Sequence, residues 1–286
     1  MLLSQPLLEQ PEVEFHWLRL GRCNQLEALS RKGGPWKNIE FPSLAAAIKH
    51  PTEGWVMFDT GYSQHFFDAT ARMPERLYRT LLPVHLDTSI AAELGRIGAE
   101  PEEVRRVVVS HFHGDHVAGL RDLPNARISA GRAGLEQVTS LRGISAVRHG
   151  LLPAMLPEDV KSRFDAVEER TAVSVDGLTG WDLVGDRSLV AVDLPGHMPG
   201  HIGLLLTVAD GPHGGGQVLL AGDAAWSSRA IRDLQPPARP VAAMFDDPGA
   251  ARSTLSSLHR LDADHADLTI LPAHCVEAFR EWNAGA

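Results

Sequence analysis

The sequence predicts a layered α/β fold, and three observations predict it. Short β-branched or leucine-rich runs recur along the chain, capped helix-patterned segments lie between them, and several runs stop within a few residues of a histidine or aspartate. At 286 residues, with 44% hydrophobic and 22% charged, the chain can bury a large core, roughly three-quarters of its unfolded surface. Length alone would allow two domains. The continuity of the pattern leads us to expect one, over residues 1–286.

Residues 55–58 form an apolar run halted at Asp59-Thr60-Gly61, a strand ending in a turn. Asp87-Thr88-Ser89 before IAAELGRIG predicts a capped helix broken near Gly98. VRRVVVS at 104–110 predicts a strand, as do 126–130, 189–194, 217–221 and 268–271; residues 133–138 suit a short helix. From Pro248 onward, Leu255, Leu258 and Leu261 recur at near-helical spacing, giving a helix with one buried stripe. Two apolar, proline-punctuated stretches, 62–86 and 141–170, interrupt the alternation. We expect excursions there that wall a substrate pocket.

Lys plus Arg total 27 against 36 Asp plus Glu, a formal charge of −9 with no long basic run. That balance argues against nucleic acid or an anionic membrane as partner. No window approaches 18 uninterrupted apolar residues, so no membrane-spanning helix is expected. The opening MLLSQPLLEQPEVEF lacks a basic start and is interrupted at Pro6, unlike a secretory leader. Two cysteines, Cys23 and Cys275, cannot form a disulfide framework, and a cytoplasmic location is expected. Exposed apolar surface would support a homodimer, though no sequence feature specifies one.

Residues 110–119 read Ser-His-Phe-His-Gly-Asp-His-Val-Ala-Gly, directly after the VVV run. His111 and His113, two apart in extended chain, point the same way, while Asp115 and His116 follow where Gly114 lets the chain turn. One loop thus offers ligands in two directions. Further candidates stand after later strands, at His197, Asp223 and His274, and Asp59 ends an earlier one. A single metal takes three or four protein ligands, so this number suggests two metals.

HFHGDH, the PGH at 195–197, the AGD at 221–223 and the PAH at 272–274 resemble the ordered motifs of the metallo-β-lactamase-fold hydrolases. Phe58-Asp59-Thr60-Gly61 is similar to that family's early aspartate motif. The resemblance covers about residues 55–275 and implies an α/β, four-layer αββα sandwich with a dinuclear site at one edge. By motif, His111, His113 and His197 would bind the first metal, and Asp115, His116 and His274 the second. Asp223 would bridge them, and Asp59 would sit behind the ligands and orient them. The cofactors implied are two divalent ions, zinc first, with iron and manganese suited to similar ligand sets. Two such ions (+4) and the carboxylates of Asp115 and Asp223 (−2) leave +2, enough to ionise a bridging water with a pKa of about 7. The resulting hydroxide would attack an ester-like bond. Asp115 and Asp223 thereby count as the catalytic carboxylates.

Departures from the family's branches narrow the substrate. Di-zinc β-lactamases usually lack a bridging aspartate and have Cys or Ser near that place, so Asp223 argues against β-lactam hydrolysis. Thioesterases of the glyoxalase II type carry a helical domain after the last histidine, where only a short tail follows here. PGHMPGHIG at 195–203, with a second histidine at His201, resembles the N-acyl homoserine lactonase branch. Its apolar excursions suit a small-molecule substrate with an apolar portion. Lactonases commonly place a tyrosine three residues past the bridging aspartate, where this chain has Trp226, whose indole N–H donates but cannot act as acid or base. Aryl esters, phosphotriesters and phosphodiesters remain alternatives, as does a mononuclear iron persulfide dioxygenase. Tyr62, Trp226 and His201 are the expected pocket residues. His65 and His85 are weaker substrate contacts, Cys275 a small buried neighbour of the site, and 236–240 a stiff loop near the pocket mouth.

Overall fold

A computed structural model describes residues 10–212 and 214–284. The segment 1–9, in which no secretory leader is expected, and His213 of the PHGGG tract lie outside the described residues. Thirteen strands are described: β1 Glu14–Leu26, β2 Asn38–His50, β3 Gly54–Phe58, β4 Val84–Leu86, β5 Val104–Val108, β6 Arg127–Ala130, β7 Phe164–Ala166, β8 Thr171–Val175, β9 Leu178–Asp182, β10 Leu189–Asp193, β11 Ile202–Val208, β12 Gly216–Gly222 and β13 Leu268–Pro272. They form a seven-stranded sheet, β4-β1-β2-β3-β5-β6-β7, and a six-stranded sheet, β13-β12-β11-β10-β9-β8. Both are mixed. β1, β2 and β3 are antiparallel while β3, β5, β6 and β7 are parallel, and β12 pairs parallel with β13.

Period-two burial explains the layering. On β3, Val56 and Phe58 face the second sheet, and Trp55 and Met57 face the opposite way. On β12, Val218 and Leu220 face the first sheet, whereas Leu219 and Ala221 meet Leu255, Leu258 and Leu261 of the helix Pro248–Asp264. Strands buried on both faces read as continuous apolar runs, which is why VRRVVV and QVLLA were visible as strands in the sequence. The order is therefore helices, sheet, sheet, helices: the αββα sandwich. The expected helix after Ser89 runs Ile90–Arg96 with the Ser89 hydroxyl as its cap, and the short one at 133–138 is part of Arg132–Ser140.

Both excursions are structured. The first holds the helices Gln64–Ala69 and Arg76–Leu81, and the second Gly143–Arg148 and Val160–Arg163. No described helix is long and apolar enough to cross a membrane.

Topology sets the position of the site. β10 and β12 both run antiparallel to β11, and β13 runs parallel to β12, so these three strands end at one edge of their sheet. β3 and β5 end together in the other sheet, and the Ser110 carbonyl accepts from the Ile202 N–H at 3.0 Å, joining the two edges. Five strand ends therefore surround one spot.

Candidate metal centre

Two groups of side chains converge at that edge. His111, His113, His197 and Asp223 form one, and Asp115, His116 and His274 the other; within each, one ligand atom per residue lies within 4.8 Å of the rest. Asp223 faces both. Its Oδ2 lies 3.3 Å from His197 Nε2 and 3.9 Å from His111 Nε2, and its Oδ1 lies 3.0 Å from His274 Nε2 and 3.3 Å from His116 Nε2. Asp115 completes the second group at 3.5 Å from His274 Nε2 and 3.8 Å from His116 Nε2.

Hydrogen bonds behind the rings fix which nitrogen faces inward. Asp59 accepts from His116 Nδ1 at 2.7 Å, and from the Ser110 hydroxyl and N–H at 2.8 and 2.7 Å. Because the Ser110 proton goes to Asp59, its oxygen accepts from His111 Nδ1 at 3.0 Å. His274 Nδ1 donates to the Pro42 carbonyl at 2.7 Å, and His113 Nε2 to the His149 carbonyl at 3.1 Å. A carbonyl or carboxylate can only accept, so the opposite nitrogen of each ring keeps its lone pair. Lone pairs therefore point at one another where His113 Nδ1 stands 3.0 Å from His111 Nε2, and His197 Nε2, whose ring has no partner at Nδ1, lies 3.1 Å from His113 Nδ1. Two ligands each about 2.0–2.1 Å from a tetrahedral zinc sit roughly 3.3 Å apart. His116 Nε2 and Asp223 Oδ1 are buried with no hydrogen-bond partner. Facing lone pairs and orphaned acceptors at this spacing fit divalent cations.

The electrostatics differ between the groups. Burial, then the other imidazoles, holds His111 well below the usual histidine range, and burial also dominates at His113 and His197. Burial opposes charge on His116 and His274 too, but carboxylates outweigh it and raise both: Asp59, Asp115 and Asp223 at His116, Asp223 and Asp115 at His274. Burial likewise opposes charge on Asp223, yet His274 and His116 hold its carboxyl well below the usual range.

Backbone geometry makes these placements. Asp59 adopts φ 57°, a left-handed conformation that aspartate tolerates better than most residues and that turns its carboxylate under the HxHxDH loop. Gly196, at φ 126°, precedes His197, and a Cβ there would lie 2.1 Å from the Ala251 nitrogen. Only glycine lets the PGH loop pass that close to the helix.

A cavity of about 800 Å³ opens over the two groups, with His113, Asp115, His197, Asp223 and His274 at its base. Tyr78, Leu81 and Leu82 from the first excursion and Val147 to Gly150 from the second line it. Trp226 also lines it, and its indole N–H donates to Asp223 Oδ2 at 2.9 Å. Two expected pocket residues are not there. Tyr62 is 1% exposed, its ring packed edge-on to Phe66, because the turn after Gly61 sends it into the core. His201 is wholly buried with both nitrogens engaged: Nδ1 donates to the Leu194 carbonyl, and Nε2 accepts the Asp223 N–H, each at 3.0 Å. It fixes the backbone of Asp223 and touches no cavity.

His65 pairs with Asp122, and His85 does not line the cavity. Cys275 is buried behind the site and accepts weakly from the Ser228 N–H at 3.5 Å. Sequence reasoning missed the supporting groups: Ser110, the carbonyls of Pro42 and His149, and Phe41, which stacks on His274 at 5.0 Å. Of these only Ser110 had a signal, its place directly before the histidine motif.

Comparison with known proteins accords with this arrangement. The chain is 32% identical over 210 residues to a probable metallo-hydrolase of Mycobacterium bovis, covering 70% of this chain and 60% of the relative's length. It is 26% identical over 251 residues to the N-acyl homoserine lactonase AiiB of Agrobacterium fabrum, covering 84% and 82%. Among solved structures, a B. thuringiensis AiiA mutant with N-decanoyl-L-homoserine at its active site superposes with a TM-score of 0.68 at 20% identity, over 95% of this chain and 96% of that one. The dizinc quorum-quenching lactonase AidC superposes at 0.62 and 13% identity, over 94% and 89%. These two likenesses show the fold alone. A family model described as the metallo-beta-lactamase superfamily matches residues 39–274, from β2 through the last candidate ligand. With strand order, ligand spacing and that match in agreement, the chain belongs to the metallo-β-lactamase superfamily.

Proposed function

We propose that this single-domain chain is a dinuclear metal-dependent hydrolase of the cytoplasm that opens a lactone, an acyl homoserine lactone being the leading candidate. The observation that carries the reading is Asp223, whose two oxygens face two separate groups of ligand atoms at the floor of a large cavity. His111, His113 and His197 would hold one divalent ion, and Asp115, His116 and His274 the other, with Asp223 between them. Zinc suits this imidazole and carboxylate set, and iron and manganese accept similar ones. Bound there, the ions would supply hydroxide at neutral pH and stabilise the oxyanion that develops on the acyl group.

The chain's own residues do the rest. Asp59 and Ser110 hold His111 and His116 in one tautomer, and the His149 and Pro42 carbonyls do so for His113 and His274. Tyr78, Leu81 and Leu82 of the first excursion and Val147 of the second, with Met244 at the rim, give an apolar stretch that suits an acyl chain, beside the polar Arg148 and His149. Trp226 N–H donates to Asp223 and cannot serve as an acid toward a leaving alkoxide. Water adds across the acyl–oxygen bond and a hydroxy acid results. The AiiB and AttM relatives, lactonases by name, support the lactone.

The test is a panel of acyl lactones, aryl esters, thioesters and phosphotriesters assayed with zinc, manganese and iron, alongside metal content. Lactone opening at two ions per chain is expected. Turnover of phosphotriesters alone would move the substrate within the same reading, and a single iron per chain with persulfide oxidation would replace it.

A further inference from the structure

A second, smaller cavity of about 280 Å³ adjoins the first. The two share Ser30, Asp223, Trp226 and Phe245, so the Trp226 and Phe245 rings, 5.8 Å apart, stand as a partition beside Asp223. Beyond it the walls are apolar, and the charged residues on them are Lys32, Arg239 and Arg252. Three cations collect here in a chain of formal charge −9.

None of the three has an ion pair or side-chain hydrogen bond among the described residues, and of the nearby acids Asp246 lines the first cavity while three others are engaged elsewhere. Asp247 caps its helix through the Gly249 and Ala250 N–H groups at 2.8 and 2.9 Å, Asp233 pairs with Arg229, and Asp223 faces the histidines. The segments carrying two of the cations are held together: Lys32 N–H donates to the Pro236 carbonyl at 2.7 Å, Ala238 N–H to the Leu29 carbonyl at 3.0 Å, and Arg31 Nη1 to Gln235 Oε1 at 2.6 Å. Other arginines, such as Arg106 with Asp165 and Arg19 with Glu40, have carboxylate partners. Unpaired cations around an apolar recess that shares Asp223 with the candidate metal centre suit an amphipathic anion.

We infer that this recess is a second substrate subsite, taking a carboxylate carried at the far end of the substrate's acyl chain, with Arg239, Arg252 and Lys32 as counter-ions. The inference rests on the ester-hydrolase reading and deepens it: the preferred substrate is an ester or lactone with a pendant acid. Its apolar stem would lie against Trp226 and Phe245 while the scissile carbonyl stays over Asp223.

A matched pair of esters tests it: phenyl hexanoate and the monophenyl ester of hexanedioic acid, which differ only at the chain end. The metal-loaded wild type is expected to favour the acid in kcat/KM, less so at high salt. Each exposed cation should contribute roughly threefold, so Arg239→Gln with Arg252→Gln should lower kcat/KM for the acid about tenfold and leave phenyl hexanoate within about twofold. Ala242→Phe, which fills the recess without touching a charge, should also abolish the preference. No preference in the wild type, or one unchanged by the double substitution, would overturn the inference. A preference that survives Ala242→Phe would also overturn it, because the cations would then act from the surface. If neither ester is hydrolysed, the hydrolase reading is what has failed. Calorimetric titration with hexanedioate then decides the subsite: weaker binding to the double variant upholds it and equal binding sinks it.

Discussion

The two ligand groups share Asp223 but stand on different foundations. His116 is held by Asp59, wholly buried between the sheets, and His274 by the Pro42 carbonyl of β2 and the face of Phe41. His113 is held instead by a carbonyl on the second excursion, which walls the cavity, and His197 Nδ1 is buried without a partner. The first arrangement is part of the core, and the second leans on a segment that also meets substrate. Core-anchored ligands are pre-organised, whereas ligands held from a pocket wall move when the wall moves. The lesson is that metal affinity and pocket shape are coupled at His113, whereas His111, tied through Ser110 to Asp59, rests on the core as His116 and His274 do.

The largest effect should come from the residue common to both. Asp223→Ala is expected to cut hydrolysis on the order of a thousandfold while leaving the circular dichroism spectrum unchanged. Retained activity would break the comparison outright, since no shared ligand would then be needed. Asp59→Asn comes next, with a loss of metal affinity of roughly ten- to a hundredfold, read by competition with a chromogenic chelator. The loss should be larger at the ion held by His116, which Asp59 contacts directly, than at the one held by His111, which it reaches through Ser110.

Gly150→Ala probes the other side. Gly150 sits at φ +70°, and a Cβ there would lie 2.8 Å from the His113 ring. About 1 kcal/mol of stability should go to left-handed strain. About tenfold should be lost in affinity for one ion of the two. Equal weakening of both ions would show that the groups are not separable.

A separate effect is on stability. Burial, against the pull of Asp223, lowers the His201 pKa from 6.5 to about 4. Between those values the unfolded chain binds more protons than the folded one, so this contribution is complete above pH 6.5 and fades as pH falls toward 4. Its full size is about 3 kcal/mol. The metal-free wild type should accordingly lose its advantage over His201→Gln in urea unfolding as pH is lowered. A constant difference would mean that His201 does not enter the folded state neutral.

How far sequence led depended on whether information was local. The doubly buried strands β3, β5, β10, β12 and β13 advertise themselves as short apolar runs, and each stops next to a candidate ligand. That conjunction made both the scaffold and the ligand set legible. β1 and β2 gave no such sign. LAAAIKH in β2 is rich in helix-favouring alanine, and its strand conformation is imposed by pairing with β1 and β3. Groups that steady the ligands were hidden for a different reason: the Pro42 and His149 carbonyls are backbone atoms, available at any residue type. Tyr62 misled because proximity to a motif says nothing about direction. The turn points it inward, and Tyr78, sixteen positions on, is the tyrosine that faces the cavity.

The hydrogen bond from His274 to Pro42 spans 232 positions of sequence. A polypeptide that has not yet made β13 carries every proposed ligand but His274, and Phe41 then meets the edge of Trp226 but lacks the imidazole that stacks on its face. The proposed site for the second ion therefore closes only once β13 has paired with β12, and a chain lacking that strand should hold that ion more weakly.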